Sequence, residues 1–530
     1  MPSIFAAAVE RAAFRGPRFG TVLFFFLAAA SLASCAASGG PTSPGGTGNE
    51  QRIASYFEEI RGTPPLLGAF LRRMPKGGDL HNHLAGAIYA ESYIAWAAAD
   101  GLCVDKEALA LVPPPCAQPQ SIPAAQIQRD GALYPALINA LSMRDFVAGP
   151  QSGHDHFFAT FAKFSAAGER RGADMLAEAV ERAGEENVSY VELMTSPGMG
   201  AARKIGAAVG WDEDLARLSG KMMAAGLGEI VPAVRRDLDE VEAGMRRRLG
   251  CAAAAARPGC AVSVRYLAQV IRVFPPEQVF AQALFAFELA KADPRVVGLN
   301  LVAPEDDPVT LRDYTRQMRL LGFLGRQMPA VRLALHAGEL APGLVPPEQL
   351  RFHIRQAVET AGARRIGHGV DVLEEDDPWG LLKEMAERAV MVEINLTSND
   401  QILGIRGDRH PFATYRRFGV PMALSTDDEG VSRGDLTHEY LRAALTYRLG
   451  YLDLKALARN SLEYAFLPGE SLWRSSAPFA PREACADSTP GAGEPAPACA
   501  AFLAASEKAQ AQWRLEAAFA AFEALPWEQR

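Results

Sequence analysis

The stretch Met74-Pro75-Lys76-Gly77-Gly78-Asp79-Leu80-His81-Asn82-His83 decides how the chain is read. From Gly77 it reads as a strand, and residues two apart on a strand face the same side. His81 and His83 therefore aim two imidazoles at one spot, a donor pair suited to zinc. Two histidines do not complete a catalytic zinc site, which takes three protein ligands or more and an open position. Taken alone, the pair is as readily chance or a pair of surface histidines. A second His-x-His, His154-Asp155-His156, precedes an apolar helical pattern at Phe157, Phe158 and Phe161. That one reads as a helix start with Asp155 near the N-cap.

Outward from the first pair, eight apolar runs follow, most of them separated by helical patterns. They are 77–83, 189–195, 262–272, 296–303, 331–336, 365–370, 390–397 and 421–427. Runs apolar at nearly every position suit strands buried on both faces, as in a parallel sheet. Helical patterns at 276–292, 310–327 and 347–361 lie between them. Eight strand–helix units are the count of a (β/α)₈ TIM barrel, an α/β fold; a doubly wound open sheet is the alternative. Polar residues gather at the C-terminal ends of the runs: His81 and His83, His336 with Glu339, His368 between two glycines, Ser398-Asn399, and Asp427-Asp428. Active sites of such barrels are built at that face, which favours the barrel.

The chain has 530 residues, 49% of them hydrophobic, and a net charge of −8. That suffices for one large barrel with additions and gives no general attraction to nucleic acid. Arg11, Arg15 and Arg18 precede an apolar run, 22–30, too short to span a bilayer comfortably. It ends in Leu32-Ala33-Ser34-Cys35, which resembles a lipoprotein cleavage box. Residues 1–35 then form a signal peptide, Cys35 carries the lipid, and the protein is exported as a periplasmic or outer-membrane-anchored lipoprotein. An ordinary signal peptide or an uncleaved anchor is the alternative. Residues 36–50 read as a Gly/Ser/Pro-rich tether. A barrel over 51–470 follows, with an inserted subdomain at about 97–150. Residues 471–530 form a C-terminal extension ending in one helix at about 500–525. A helix at 52–71 is expected to break near Pro64-Pro65. Six further cysteines fall in local couples, Cys103 with Cys116, Cys251 with Cys260 and Cys485 with Cys499; six cysteines allow 15 pairings, and local pairing is the simplest. A homodimer is left open.

The ordered motifs His81-x-His83, His336-Ala337-Gly338-Glu339, Gly367-His368-Gly369, Thr397-Ser398-Asn399 and Ser425-Thr426-Asp427-Asp428 resemble the adenosine deaminase family of metal-dependent hydrolases. The export signal and paired cysteines look more like its secreted, growth-factor-type branch. The resemblance implies one zinc per chain, held by His81, His83, His336 and Asp427. It implies hydrolytic deamination of a purine nucleoside at C6, with adenosine giving inosine and ammonia. Zinc would supply hydroxide at neutral pH, Glu339 would protonate the ring nitrogen, and His368 would stabilise developing charge. His83, Ala303 and Asp428 would line the substrate side, Asp428 at the imidazole edge of the purine. His353, His410 and His438 read as structural or solvated.

Two positions depart from the family. Ala85 stands where members carry an acidic ribose contact, and Ala303 stands where a glycine follows strand four; Glu305 still matches an acidic position. A methyl group at 303 crowds the ring and restricts φ/ψ. The alternatives are therefore a hydrolase for another aminopurine or modified nucleoside, or a non-catalytic binding protein on the same fold.

Overall fold

Eight parallel strands form the centre of the computed structural model, which describes residues 48–117 and 119–527. They are β1 (Gly77–His83), β2 (Val188–Thr195), β3 (Ser263–Ile271), β4 (Val296–Val302), β5 (Arg332–Ala337), β6 (Arg365–His368), β7 (Met391–Ile394) and β8 (Met422–Leu424). Each pairs with the next in sequence order. The ring closes where Asn82 bridges Asp427: the Asp427 N–H donates to the His81 carbonyl at 2.8 Å, and the His83 N–H donates to the Asp427 carbonyl at 2.9 Å. The seam of the barrel is thus made by the backbones of three expected metal ligands. Every residue of β1 is buried, and both faces of the sheet are covered, as parallel sheets require.

Three strands end two or three residues before their apolar runs do. His368, Gly369 and Asp427 adopt φ of +70°, +58° and +61°, which no strand continues through. After β7 the chain enters a helix at Leu396–Leu403. These early exits leave His368 as the last residue of β6 and carry Ser398, Asn399 and Asp427 out of the sheet, all at its C-terminal rim.

The inserted segment begins after a helix at Ala90–Ala99 that runs past the expected boundary. It folds as a three-stranded antiparallel sheet of Cys103–Asp105, Ala110–Val112 and Ser121–Pro123, followed by a helix at Leu133–Ala140. Ile94, Val104, Leu111, Ile138, Phe157 and Phe164 share a second apolar cluster that also takes in Ile402 and Val431 from the rim. The Met143 N–H donates to the Val431 carbonyl at 2.8 Å, so the insertion is fastened beside β8.

His154-Asp155-His156 opens a helix at Gly153–Gly168, with the Ser152 side chain capping the Asp155 N–H. His156 Nε2 donates to the Asn139 and Ser142 carbonyls. His154 Nε2 lies 3.0 Å from Asp306 on the loop after β4. Burial alone would lower the His154 pKa, but its bonds to Asp306 and Asp155 raise it to about 9. The folded pKa lies above the unfolded value, so this stabilisation is complete below about pH 6.5 and fades as pH rises through 9. His154→Ala is expected to cost about 1 kcal/mol at pH 6 and almost nothing near pH 10, read by urea denaturation at both values.

Elsewhere the structure corrects several expectations. Gly48–Glu50 belong to a helix at Gly48–Ile60 rather than to a tether, and Glu50 accepts from Lys455 Nζ at 2.8 Å. The break expected near Pro64-Pro65 is present: that helix ends before Thr63, and a second runs from Pro64 to Arg73. The helix expected at 347–361 is broken into a 3₁₀ turn at Pro347–Leu350, one α-turn at His353–Gln356 and a π-turn at Ala357–Ala361. The single terminal helix is two, Pro497–Ala505 and Glu507–Glu523, split at Ser506, whose hydroxyl caps the Ala509 N–H and donates to the Glu470 carbonyl. The second packs on the barrel helix Tyr451–Glu463 through Lys455–Glu523 and Arg459–Glu516 pairs. The local cysteine pairing is as expected, with all three couples joined as disulfides. The expected signal peptide, Cys35 and the tether up to residue 47 lie outside the described residues. Among the described residues, no helix is long and apolar enough to cross a membrane.

Candidate metal and catalytic centre

His81, His83, His336 and Asp427 each offer one ligand atom, all within 4.8 Å of one another. β1 supplies the first two, β5 the third and the turn after β8 the fourth. Asp427 Oδ1 lies 3.5 Å from His81 Nε2 and 3.3 Å from His83 Nε2. The Nε2 atoms of His83 and His336 face each other at 3.3 Å.

Neighbouring groups fix the orientation of each donor. His336 Nδ1–H donates to Asn300 Oδ1 on β4 at 2.8 Å, which leaves its Nε2 lone pair directed at the centre. His81 Nδ1 bonds Glu393 on β7 at 2.6 Å, and its buried Nε2 has no hydrogen-bond partner. Gln269 on β3 sets its amide 2.5 Å from His83 Nδ1, and Ser398 donates to Asp427 Oδ2 at 2.6 Å. Below them, Arg365 joins Glu393 to Glu192 through bonds of 2.6 and 2.5 Å, all three fully buried.

The charge states suit a cation. Burial and the neighbouring histidines hold His336 neutral, well below the usual range. Burial would raise the Asp427 carboxyl, but the imidazoles of His81 and His83 that face it hold it well below. Burial would lower His81, but the facing Asp427 carboxylate and the bond to Glu393 raise it to about 10. A divalent cation at Nε2 would take the place of that proton. An orphaned buried nitrogen, two opposed imidazole nitrogens and a carboxylate fit a metal of zinc type.

Glu339, His368 and Asp428 surround this cluster. Burial, with Asp427 and Glu305 nearby, pushes the Glu339 carboxyl well up. Its backbone N–H and that of Gly338 donate to Glu305 at 2.8 and 3.0 Å. Glu305 is braced in turn by His353 Nδ1 at 2.6 Å. His368 Nε2 lies 3.6 Å from Glu339 and 3.8 Å from Asp427. Asp428 is buried, its Oδ1 lacks a partner, and burial with the adjacent Asp427 pushes its pKa well up. Gly86 leaves the space for it: a Cβ there would lie 1.5 Å from Asp428 Oδ1.

The expected site residues thus meet at one rim. Ala85 is exposed, and its carbonyl accepts from Tyr93 at 2.7 Å. Sequence reasoning missed Asn300, Glu393, Gln269 and the Arg365–Glu192 pair. Asn300 and Glu393 stood out, each the lone polar residue of its strand where an unpaired polar group is costly, but the partners they hold did not. It also left His353 and His410 as merely structural or solvated, whereas both reach toward site residues.

Ala303, at the end of β4, holds φ +99°, a region L-residues rarely enter. Buried Arg272 clamps it, with Nε and Nη2 donating to the Ala303 carbonyl at 3.0 and 2.8 Å and Nη1 to the His336 carbonyl at 3.4 Å. Arg272→Met is expected to cost about 3 kcal/mol by stranding these carbonyls. Ala303→Gly in that background should recover about 1 kcal/mol by relieving the backbone strain. Chemical denaturation of the two variants reads both effects.

Fold and donor set together define a metal-dependent hydrolase barrel. The adenosine deaminase family model matches residues 151–473. An adenosine deaminase of Shigella flexneri serotype 5b is 30% identical over 294 residues, covering 55% of this chain and 72% of that protein. One from Clostridium perfringens strain SM101 is 28% identical over 185 residues, covering 35% of this chain and 52% of that protein, so the match spans about half of that relative. The solved structure of an ADAL–IMP complex aligns with a TM-score of 0.50 at 21% identity over 76% of this chain and 94% of that one, a likeness of fold. The chain belongs to the adenosine deaminase family.

Proposed function

We propose that the protein is a zinc-dependent aminohydrolase that converts adenosine, or a closely related purine nucleoside, to the 6-oxo product and ammonia. The observation that carries this reading is a buried Glu339 with a strongly raised pKa, set beside a four-donor centre of His81, His83, His336 and Asp427. Those four residues would hold one zinc, which supplies a hydroxide nucleophile at neutral pH.

The chain's own groups do the rest. Glu339 is kept protonated in the resting site and gives its proton to the ring nitrogen next to C6, which makes that carbon electrophilic. Now a carboxylate, it takes the proton of the hydroxyl added at C6 and passes it to the amino group, which leaves as ammonia as the C6–N bond breaks and the C6 carbonyl forms. His368 faces the same space and stabilises charge as it develops on oxygen. Asp428, also kept protonated, offers an O–H to the imidazole edge of the base. The insertion beside β8 shelters the rim. The N-terminal segment supports export and lipid anchoring at Cys35, in the manner of the secreted branch, so the substrate would be met outside the cytoplasm.

A second reading is a different aminopurine. Exposed Ala85 and strained Ala303 favour it, since both alter the rim and neither touches the donors. The test is ultraviolet conversion of adenosine to inosine by the chain from Ala36 onward, stripped of metal and then supplied with zinc. Zinc-dependent turnover is expected. No turnover of adenosine, with another aminopurine consumed, would transfer the activity to that substrate. No turnover of any aminopurine by protein holding one zinc would overturn the catalytic reading.

A further inference from the structure

The imidazole of His368 can carry its proton on either nitrogen, and the two forms have opposite uses. With Nε2–H it donates into the centre; with Nδ1–H it presents a lone pair there. Heavy-atom positions alone do not choose, but a chain of hydrogen bonds behind the ring does.

That chain starts at a group whose polarity is fixed. The backbone N–H of Phe412 is a donor only, and it meets His410 Nδ1 at 3.1 Å. His410 Nδ1 is therefore an acceptor, and its proton sits on Nε2. His410 Nε2 meets Asn399 Oδ1 at 3.0 Å, so the amide oxygen accepts and the amide nitrogen turns the other way. Asn399 Nδ2 meets His368 Nδ1 at 2.8 Å and donates to it. His368 Nδ1 is thereby occupied as an acceptor. Asn395 Nδ2 approaches the ring at 3.4 and 3.5 Å from its two nitrogens and does not choose between them. All three side chains of the relay are buried, so water does not compete for these bonds. Burial lowers His410 to about 3, which agrees with a neutral ring there, and a His368 Nδ1 that accepts leaves that ring neutral as well.

We infer that His410, acting through Asn399, is a positioning residue that locks His368 in the neutral Nε2–H form, so that its N–H donates into the centre. What that donor does rests on the deaminase reading; the tautomer itself does not. A lone pair in its place would repel oxygen charge instead of stabilising it. The relay also gives a physical role to two groups that lie outside the donor set, on the helix after β7 and on the turn that follows it.

The test uses the zinc-loaded chain labelled with ¹⁵N at its histidine imidazoles. The His368 signal is assigned by its loss in His368→Gln. Long-range ¹H–¹⁵N correlation is expected to show a neutral ring protonated at Nε2. Asn399→Asp puts acceptors on both sides, so the His368 proton should move to Nδ1. In that variant kcat should fall about 100-fold with zinc content unchanged and KM within about threefold. His410→Gln, whose amide still donates to Asn399, should keep kcat within about threefold, while His410→Phe should lose about tenfold. An Nδ1–H or doubly protonated His368 in the wild type would overturn the inference, whether or not the protein turns over any purine. So would an unchanged tautomer in Asn399→Asp, or equal losses in His410→Gln and His410→Phe. If the wild type consumes no aminopurine, the deaminase reading fails while the tautomer result still decides the relay.

Discussion

Glu339→Gln is expected to remove about 10³-fold or more of kcat while leaving zinc content and fold intact. The amide keeps the shape of the carboxyl and can still donate a hydrogen bond, but it has no proton to give. General acid–base groups contribute about 10²–10⁴-fold, and this one is asked both to protonate the ring and to serve the leaving group. Substrate binding should change little, because the amide N–H still meets the ring nitrogen; the loss therefore falls on kcat rather than KM. Stability should not suffer. A carboxyl with a raised folded pKa opposes folding increasingly as pH rises above its unfolded value, and the amide has no such cost. The variant's thermal midpoint at pH 8 is thus expected to equal or exceed that of the wild type. A variant with near-normal kcat would assign the proton transfer to another group.

The barrel was legible because its strands are continuous apolar runs with polar residues confined to one end. β1, β4 and β5 fall within one residue of the runs read from sequence. The short strands were harder. Nothing in 390–397 marks where a strand becomes a helix, because Leu396 and Thr397 suit either, and tertiary contacts at the rim decide. The helix expected at 347–361 failed for a similar reason: His353 is drawn to Glu305, and that long-range bond outweighs local periodicity. The C-terminal helix divides at Ser506, a good N-cap hidden inside an apolar pattern. The donors were readable as histidines and carboxylates at strand ends. Their supports were not, because the partnership of Glu393 with His81 or of Asn399 with His410 joins residues that only the closed barrel brings together.

Asp427→Asn is the sharpest test of the metal centre, and its design follows from the backbone. Asp427 holds φ +61° and closes the seam with β1 through its own N–H and carbonyl. Asparagine tolerates that conformation better than alanine does, so the substitution leaves the seam in place and changes only the ligand. It removes the single negative charge among the four donors. It also leaves His81 Nε2 and His83 Nε2 without the carboxylate that faces them at 3.5 and 3.3 Å. Zinc affinity should fall about 100-fold or more, a larger loss than the 10–100-fold usual for groups one layer out such as Glu393. Turnover at equimolar zinc should drop at least about 10³-fold, with part of it restored by excess zinc. Chelator competition on the wild type, Asp427→Asn and Glu393→Gln gives the three affinities in one experiment. If Asp427→Asn bound one zinc as tightly as the wild type, Asp427 would not be a ligand and the centre would need a different fourth donor. If the affinity fell while turnover with saturating zinc stayed near normal, the carboxylate would hold the metal without shaping the chemistry. The expected result is a loss of both, because Asp427 also lies 3.8 Å from His368 and 2.6 Å from Ser398, within the same constellation that positions the reacting groups.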